Sequence, residues 1–155
     1  MEFEEVVEKY ADMVLRIAYQ HTLNKDDSED IMQEVFIKLV NYINTFESNE
    51  HMKAWIIRVT INLCKNHTKT SWKKKVTSFE YDIETKNEEP EFLLEELSKL
   101  KPIYRDTIYL YYYEGYKIFE IAEILNMKKN TVNSNLVRAR KKLKKIIIES
   151  GDDYE

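Results

Sequence analysis

Only two glycines, Gly115 and Gly151, and two prolines, Pro90 and Pro102, interrupt the chain of 155 residues. Turn-rich β architectures depend on Gly and Pro to reverse direction, so their scarcity removes most β folds. The remaining residues are rich in Leu, Ile, Glu, Lys and Tyr, with apolar positions recurring every three or four residues. That period is helical, and the fold class it predicts is all-α. An apolar fraction of 43% can supply the core of one ordinary domain or two small ones.

The formal net charge of -4 conceals alternating blocks. Acidic residues predominate from Glu2 to Glu50. His51 to Phe79 contains no acid but carries Lys53, Arg58, Lys65, Lys69, Lys73, Lys74 and Lys75. The sign then reverses over EYDIETKNEEPEFLLEE, Glu80 to Glu96, which includes Pro90 and has no apolar period before Phe92. This stretch reads as an acidic flexible linker between two small helical domains. The boundaries it implies are 1–75, a linker over 76–91, and 92–150.

A second acid-free block, Ile124 to Ile148, holds Lys128, Lys129, Arg138, Arg140, Lys141, Lys142, Lys144 and Lys145. Each half therefore ends in a basic element. Basic blocks bind polyanions by releasing counterions, a local effect that an acidic whole does not prevent. One such block is equally well a solvated face; two favour nucleic acid.

In the second half, Pro102 suits a first helical turn and Gly115 a helix stop. A single helix is expected from Pro102 to Tyr113. Ile118, Ile121, Ala122 and Leu125 then mark a short helix, and Asn126-Met127 a tight turn, since Asn tolerates left-handed backbone. The stretch KNTVNSNLVRARKKLKK follows. At 100° per residue, Val132, Leu136, Ala139, Leu143 and Ile146 form an inward apolar stripe. Asn130, Asn133, Ser134, Val137, Arg138 and Lys141 gather opposite, as in the second helix of a helix-turn-helix. Amides and Arg can pair with adenine and guanine edges, and Val137 can touch a thymine methyl. An amphipathic helix with a wet outer face is the plainer alternative. Tyr109, Tyr111, Tyr112, Tyr113 and Tyr116 suit core and partner surface better than a base-stacking platform.

In the first half, SEDIMQEVFIKLVNYINTF places Ile31, Met32, Val35, Phe36, Leu39 and Ile43 on one arc. Asp30, Glu34, Ile37, Lys38 and Asn41 lie on the other, a surface for a basic partner helix or an ordinary exposed face with one stray Ile. In HMKAWIIRVTINLCKNHTK, Ile56, Val59 and Leu63 are expected inward. Arg58, Asn62, Lys65 and Lys69 form a polar stripe edged by Trp55 and Asn66. An aromatic beside cations and amides can hold unstacked single-stranded bases. A core anchor is the simpler role for Trp55.

SEDIMQEVFIKL followed by KAWIIRVTINL, and YEGYKIFEIAEIL followed by NTVNSNLVRARKKL, resemble the two regions of bacterial RNA polymerase sigma factors of the extracytoplasmic-function group. The resemblance spans nearly the whole chain apart from the linker and the last residues. It implies a non-enzymatic initiation factor with partners in core RNA polymerase and promoter DNA, and with an anti-sigma factor of the kind that often restrains this family. Asp30, Gln33, Glu34, Ile37 and Asn41 fall where the family meets the clamp helices of the largest subunit. Asn44 to His51, including Phe46, fall in the loop that captures a flipped minus-ten base. Trp55, Arg58, Asn62 and Lys65 lie on the strand-separating helix. Asn130, Thr131, Asn133, Ser134, Val137, Arg138 and Lys141 fall at positions facing the minus-thirty-five duplex, and the helix from Pro102 faces the flap of the second-largest subunit. The chain departs from the family where Asn133 and Asn135 replace usual cations, Ile61 a common Arg, and Lys117 and Lys128 the capping Ser or Thr. Asn130 is the candidate cap for the last helix.

Other classes find less support. A stand-alone helix-turn-helix regulator, or a sigma-like interaction protein, would share many of these features. His21, His51 and His67 are scattered, Cys64 and His67 are too few for a metal site, and no phosphate loop or nucleophile setting occurs. No cofactor, metal or catalytic residue is expected. One cysteine makes no internal disulfide, MEFEEVVEK is no signal peptide, and no apolar run nears roughly 18 residues. The cytoplasm, without membrane insertion, is the expected compartment.

Overall fold

The computed structural model describes residues 2–71 and 96–151, and the chain divides into two compact units, Met1–Glu88 and Glu89–Glu155. The expected linker over 76–91, together with Lys73, Lys74, Lys75, Pro90 and Phe92, lies outside the described residues. Among those described, secondary structure is helical throughout, with no strand.

The first unit contains α1 (Phe3–Thr22), α2 (Lys25–Val40) and α3 (Asn49–Ser71), each packed against the other two. Val6, Tyr10, Met13, Val14, Ile17 and Ala18 bury one stripe of α1 against Ile31, Val35, Phe36 and Leu39 of α2 and Ile56, Ile57 and Ile61 of α3. Each fully buried Ile or Leu contributes roughly 1.5–3 kcal/mol, which offsets the entropy of ordering the helices. Leu23 ends α1 in left-handed backbone (φ 52°), and Asn24 starts α2 by accepting the Asp27 N–H at 2.8 Å. The Thr22 hydroxyl, 2.9 Å from that of Ser28, tightens the same turn.

The buried arc of α3 differs from expectation. Ile56 is fully buried, but Val59 and Leu63 are half-buried, while Ile57, Thr60, Ile61 and Cys64 face the core. Burial of Thr60 is tolerated because its hydroxyl donates to the Ile56 carbonyl at 2.7 Å. Ile61, at a position where the family commonly has Arg, is part of the packing.

The described part of the second unit contains helical residues 96–98, then α4 (Pro102–Ile108), α5 (Ile118–Leu125) and α6 (Lys129–Gly151). The single helix expected from Pro102 to Tyr113 becomes α4 followed by a π turn, Tyr109–Tyr113, whose wider loop is closed by Glu114 N–H donating to the Tyr109 carbonyl at 3.1 Å. Gly115 stops it with φ 77°, and Asn126 ends α5 in left-handed backbone at φ 56°. Leu100, Tyr104, Ile108, Leu136 and Ala139 form the core, with Leu143 and Ile146 packed at its edge.

Glu96 lies in this unit, within the expected 92–150. Its side chain is 3% exposed, with one carboxylate oxygen 3.5 Å from Lys99 Nζ. Lys117 offers α5 no acceptor, but Glu120 reaches back to accept the Lys117 N–H at 2.8 Å, half of a capping box. Asn130 does not cap α6: it lies inside the first turn, and Lys128 precedes the helix.

Candidate functional site

Three surfaces collect the residues singled out in the sequence. On α2, Asp30, Gln33, Glu34 and Ile37 are exposed to differing degrees, and Asn41 is exposed at the helix C-cap. Positions 30, 33, 34, 37 and 41 follow the helical period and share one face. Ile37 is 68% exposed, and Val40, 50% exposed beside it, extends the apolar strip. Sequence reasoning missed Val40, because a Val at a helix end has no distinctive signal. Acid flanking a small apolar strip suits a partner helix that offers both cations and aliphatic side chains.

The second surface joins the turn after α2 to the start of α3. Ser48 caps α3 by accepting the His51 N–H at 3.0 Å, and His51 Nδ1 reaches back to accept the Glu47 N–H at 3.3 Å. This reciprocal pair fixes the turn. Phe46 lies edge-on to His51 with ring centres 5.2 Å apart, and Trp55 touches Phe46 at 5.6 Å and Tyr42 at 5.7 Å. Trp55 is half-buried, neither core anchor nor free platform. Beyond it Arg58, Asn62 and Lys65 are exposed, about one turn apart along α3, while Asn44 is exposed in the turn. Lys69 side-chain placement lies outside the described residues. Tyr42, half-exposed against Trp55, is the residue sequence reasoning did not single out. No period connects it to α3, and only the turn brings the rings together.

The third surface is the outer face of α6. Asn130, Thr131, Asn133, Ser134, Val137, Arg138 and Lys141 are all exposed, while Val132, Leu136 and Ala139 opposite them are at most 1% exposed. The face therefore projects from a fixed helix. Asn135 is only 8% exposed and turns towards the domain, so it is not part of this face. Its lack of charge removes no cation from the outer surface. Asn133 is outward, and there the missing cation does lie on the face, with Lys128 and Lys129 exposed near it.

Among the described residues, no three His, Cys, Asp or Glu side chains gather as a metal site, and no helix is long and apolar enough to cross a membrane. Cys64 is buried. His67, three residues on, has Nε2 3.9 Å from an Asp27 carboxylate oxygen, which ties the far part of α3 to the start of α2.

Residues 6–74 match the family described as Sigma-70 region 2, and residues 93–143 the family described as Sigma-70, region 4. RNA polymerase sigma factor SigV of Bacillus subtilis is 30% identical over 131 residues, covering 81% of this chain and 79% of SigV. The extracytoplasmic-function (ECF) RNA polymerase sigma factor SigW of the same organism is 28% identical over 167 residues, covering 92% of this chain and 87% of SigW. Among solved structures, the complex of sigma factor RpoE with the anti-sigma factor NepR from Bartonella quintana matches with a TM-score of 0.72 at 20% identity, over 94% of this chain and 96% of that one. At that identity the likeness is one of fold. With both regions matched in order and a relative at this level of identity, the chain belongs to the sigma-70 family of RNA polymerase sigma factors, in its extracytoplasmic-function group.

Proposed function

We propose that this sigma factor binds core RNA polymerase and directs it to promoters by dividing the work among the three surfaces. The carrying observation is that α6 turns a continuous amide, hydroxyl and cation face outward from an acid-free stretch while Val132, Leu136 and Ala139 on its opposite side are buried. Such a face reads a duplex in the major groove, with Arg138 pairing a guanine edge, Asn133 or Asn130 an adenine edge, and Lys141 neutralising phosphate. The outward strip of α2, with Asp30, Gln33, Glu34, Ile37 and Asn41, docks on the clamp helices of the polymerase's largest subunit. The α4 side of the second unit faces the flap of the second-largest subunit.

Strand opening falls to the aromatic turn. Separating one base-pair step costs about 1.4 kcal/mol, and stacking one extruded base on an aromatic ring returns about 1–3 kcal/mol. A base captured among Phe46, Trp55 and Asn44 thus offsets one or two opened steps, while Arg58, Asn62 and Lys65 hold the backbone of the same strand. The proposed division assigns 1–75 to the polymerase and the minus-ten element, 92–150 to the minus-thirty-five element, and 76–91 to the connection. Catalysis belongs to the polymerase. An anti-sigma factor is the further partner class, as NepR is for RpoE.

Run-off transcription with core polymerase across a promoter library tests this reading. Transcripts from a subset of promoters, lost on Ile37→Asp together with polymerase pull-down, are the expected result. A folded protein that fires no promoter, or one that binds a symmetric operator tightly without polymerase, would instead favour a stand-alone regulator.

A further inference from the structure

Eight cations lie between Lys128 and Lys145, and charge alone would send all of them to phosphate. Arg140 is engaged differently. Its Nε donates a hydrogen bond to the Tyr112 hydroxyl, and its guanidinium carbon is 5.6 Å from the Tyr111 ring centre and 5.5 Å from that of Tyr112. The two rings meet edge to face at 80°, with centres 4.9 Å apart, and so form a corner around the cation. The Tyr111 distance lies within the range of cation–π attraction, while at Tyr112 the guanidinium sits at the hydroxyl edge that its hydrogen bond holds.

The π turn builds this corner. On its inner side Tyr109 is 4% exposed, stacks on Tyr113 at 5.0 Å and donates its hydroxyl to Glu114 at 2.7 Å. That anchors the turn in the domain. On its outer side Tyr112 is 57% exposed, so burial does not account for its position. π turns inside helices are uncommon and concentrate at functional positions. Along α6, Arg140 stands two turns after Asn133 and one turn after Val137, on the edge of the reading face. The buried stripe sets the rotation of the helix, and a guanidinium held there adds a restraint at the edge of the reading face.

We propose that Arg140 is a positioning residue for promoter recognition: the Tyr111–Tyr112 corner holds it away from phosphate and fixes how α6 presents Asn133, Val137 and Arg138 to the duplex. This rests on the reading of α6 as the duplex-reading helix. The experiment uses the full chain assembled with core polymerase, and measures promoter duplex binding across a salt series.

Arg140→Ala and Arg140→Lys should each weaken binding about fivefold at fixed salt, the loss of one hydrogen bond and its ring contact, with the salt slope unchanged. Lysine keeps the point charge that a phosphate contact needs but lacks the planar guanidinium. Tyr112→Phe should weaken binding similarly, and Tyr112→Phe combined with Arg140→Ala no further than either alone. Thermal melting confirms that each variant is folded. Near-normal binding by Arg140→Lys, a slope reduced by about 0.9 in Arg140→Ala, multiplicative losses in the double variant, or no loss at all overturns the proposal. Lys141→Ala separates the two readings. If it lowers the slope by about 0.9 and Arg140→Ala does so too, the positioning role alone fails; if Lys141→Ala leaves the slope unchanged and Arg138→Ala leaves binding unchanged, the reading of α6 fails and this inference with it.

Discussion

Gly115→Ala isolates what the left-handed turn ahead of the helix-turn-helix costs. Gly115 has φ 77°, and a Cβ built there meets nothing within 4 Å. The substitution therefore creates neither a clash nor a cavity, and its whole cost lies in the backbone. Left-handed backbone costs an L-residue roughly 1–2 kcal/mol. Loss of glycine's freedom in the unfolded chain returns about 0.4–1 kcal/mol. The net destabilisation is thus about 1 kcal/mol, or about 4–8 °C in melting temperature for a domain of this size. Thermal unfolding followed by circular dichroism reads it directly, and Gly115→Asn should lose less, because Asn tolerates this region. A loss of about 3 kcal/mol or more would mean that the Cβ collides after all. No loss, or a gain, would mean that the native turn does not require left-handed backbone. Either result refutes the reasoning.

Asn24→Ala removes the acceptor for the Asp27 N–H and should destabilise the first unit by about 1 kcal/mol in denaturant melts, with Asn24→Ser recovering most of that loss. Leu136→Ala empties a 1% exposed position in the second core and should cost about 2–5 kcal/mol, comparable to what a core this small supplies, so amide exchange across α4 to α6 should lose its protection. Arg138→Ala should lower use of promoters at one base position by about 1–3 kcal/mol, whereas Lys144→Ala should act weakly and evenly in the same transcription assay. Equal effects of both changes on every promoter would remove Arg138 from base reading.

The helix-turn-helix half was the more legible because its helices are amphipathic in the simplest way. Val132, Leu136 and Ala139 recur on one side of α6 with amides and cations on the other, so one period gave both the buried and the reading face. In α3, by contrast, Ile56, Ile57, Val59, Ile61, Leu63 and Cys64 spread apolar character around most of the circumference. No period could choose among them. The choice falls to α1 and α2, which cover the side bearing Ile57, Ile61 and Cys64 and leave Val59 and Leu63 half-buried. Asn135 and Glu96 show the same limit for polar residues, since a side chain's charge says little about whether a neighbouring helix encloses it.

Local propensity and a period of 3.6 residues were enough for the all-α class, the helix stops at Gly115 and Asn126, and the outward face of α6. The remaining features came from packing. The Tyr42, Phe46, His51 and Trp55 cluster needs a turn to bring α2 against α3, and the grip on Arg140 needs a π turn 28 residues away in the chain to face it. Contacts between elements depend on how helices pack in three dimensions, which periodicity along one helix does not encode.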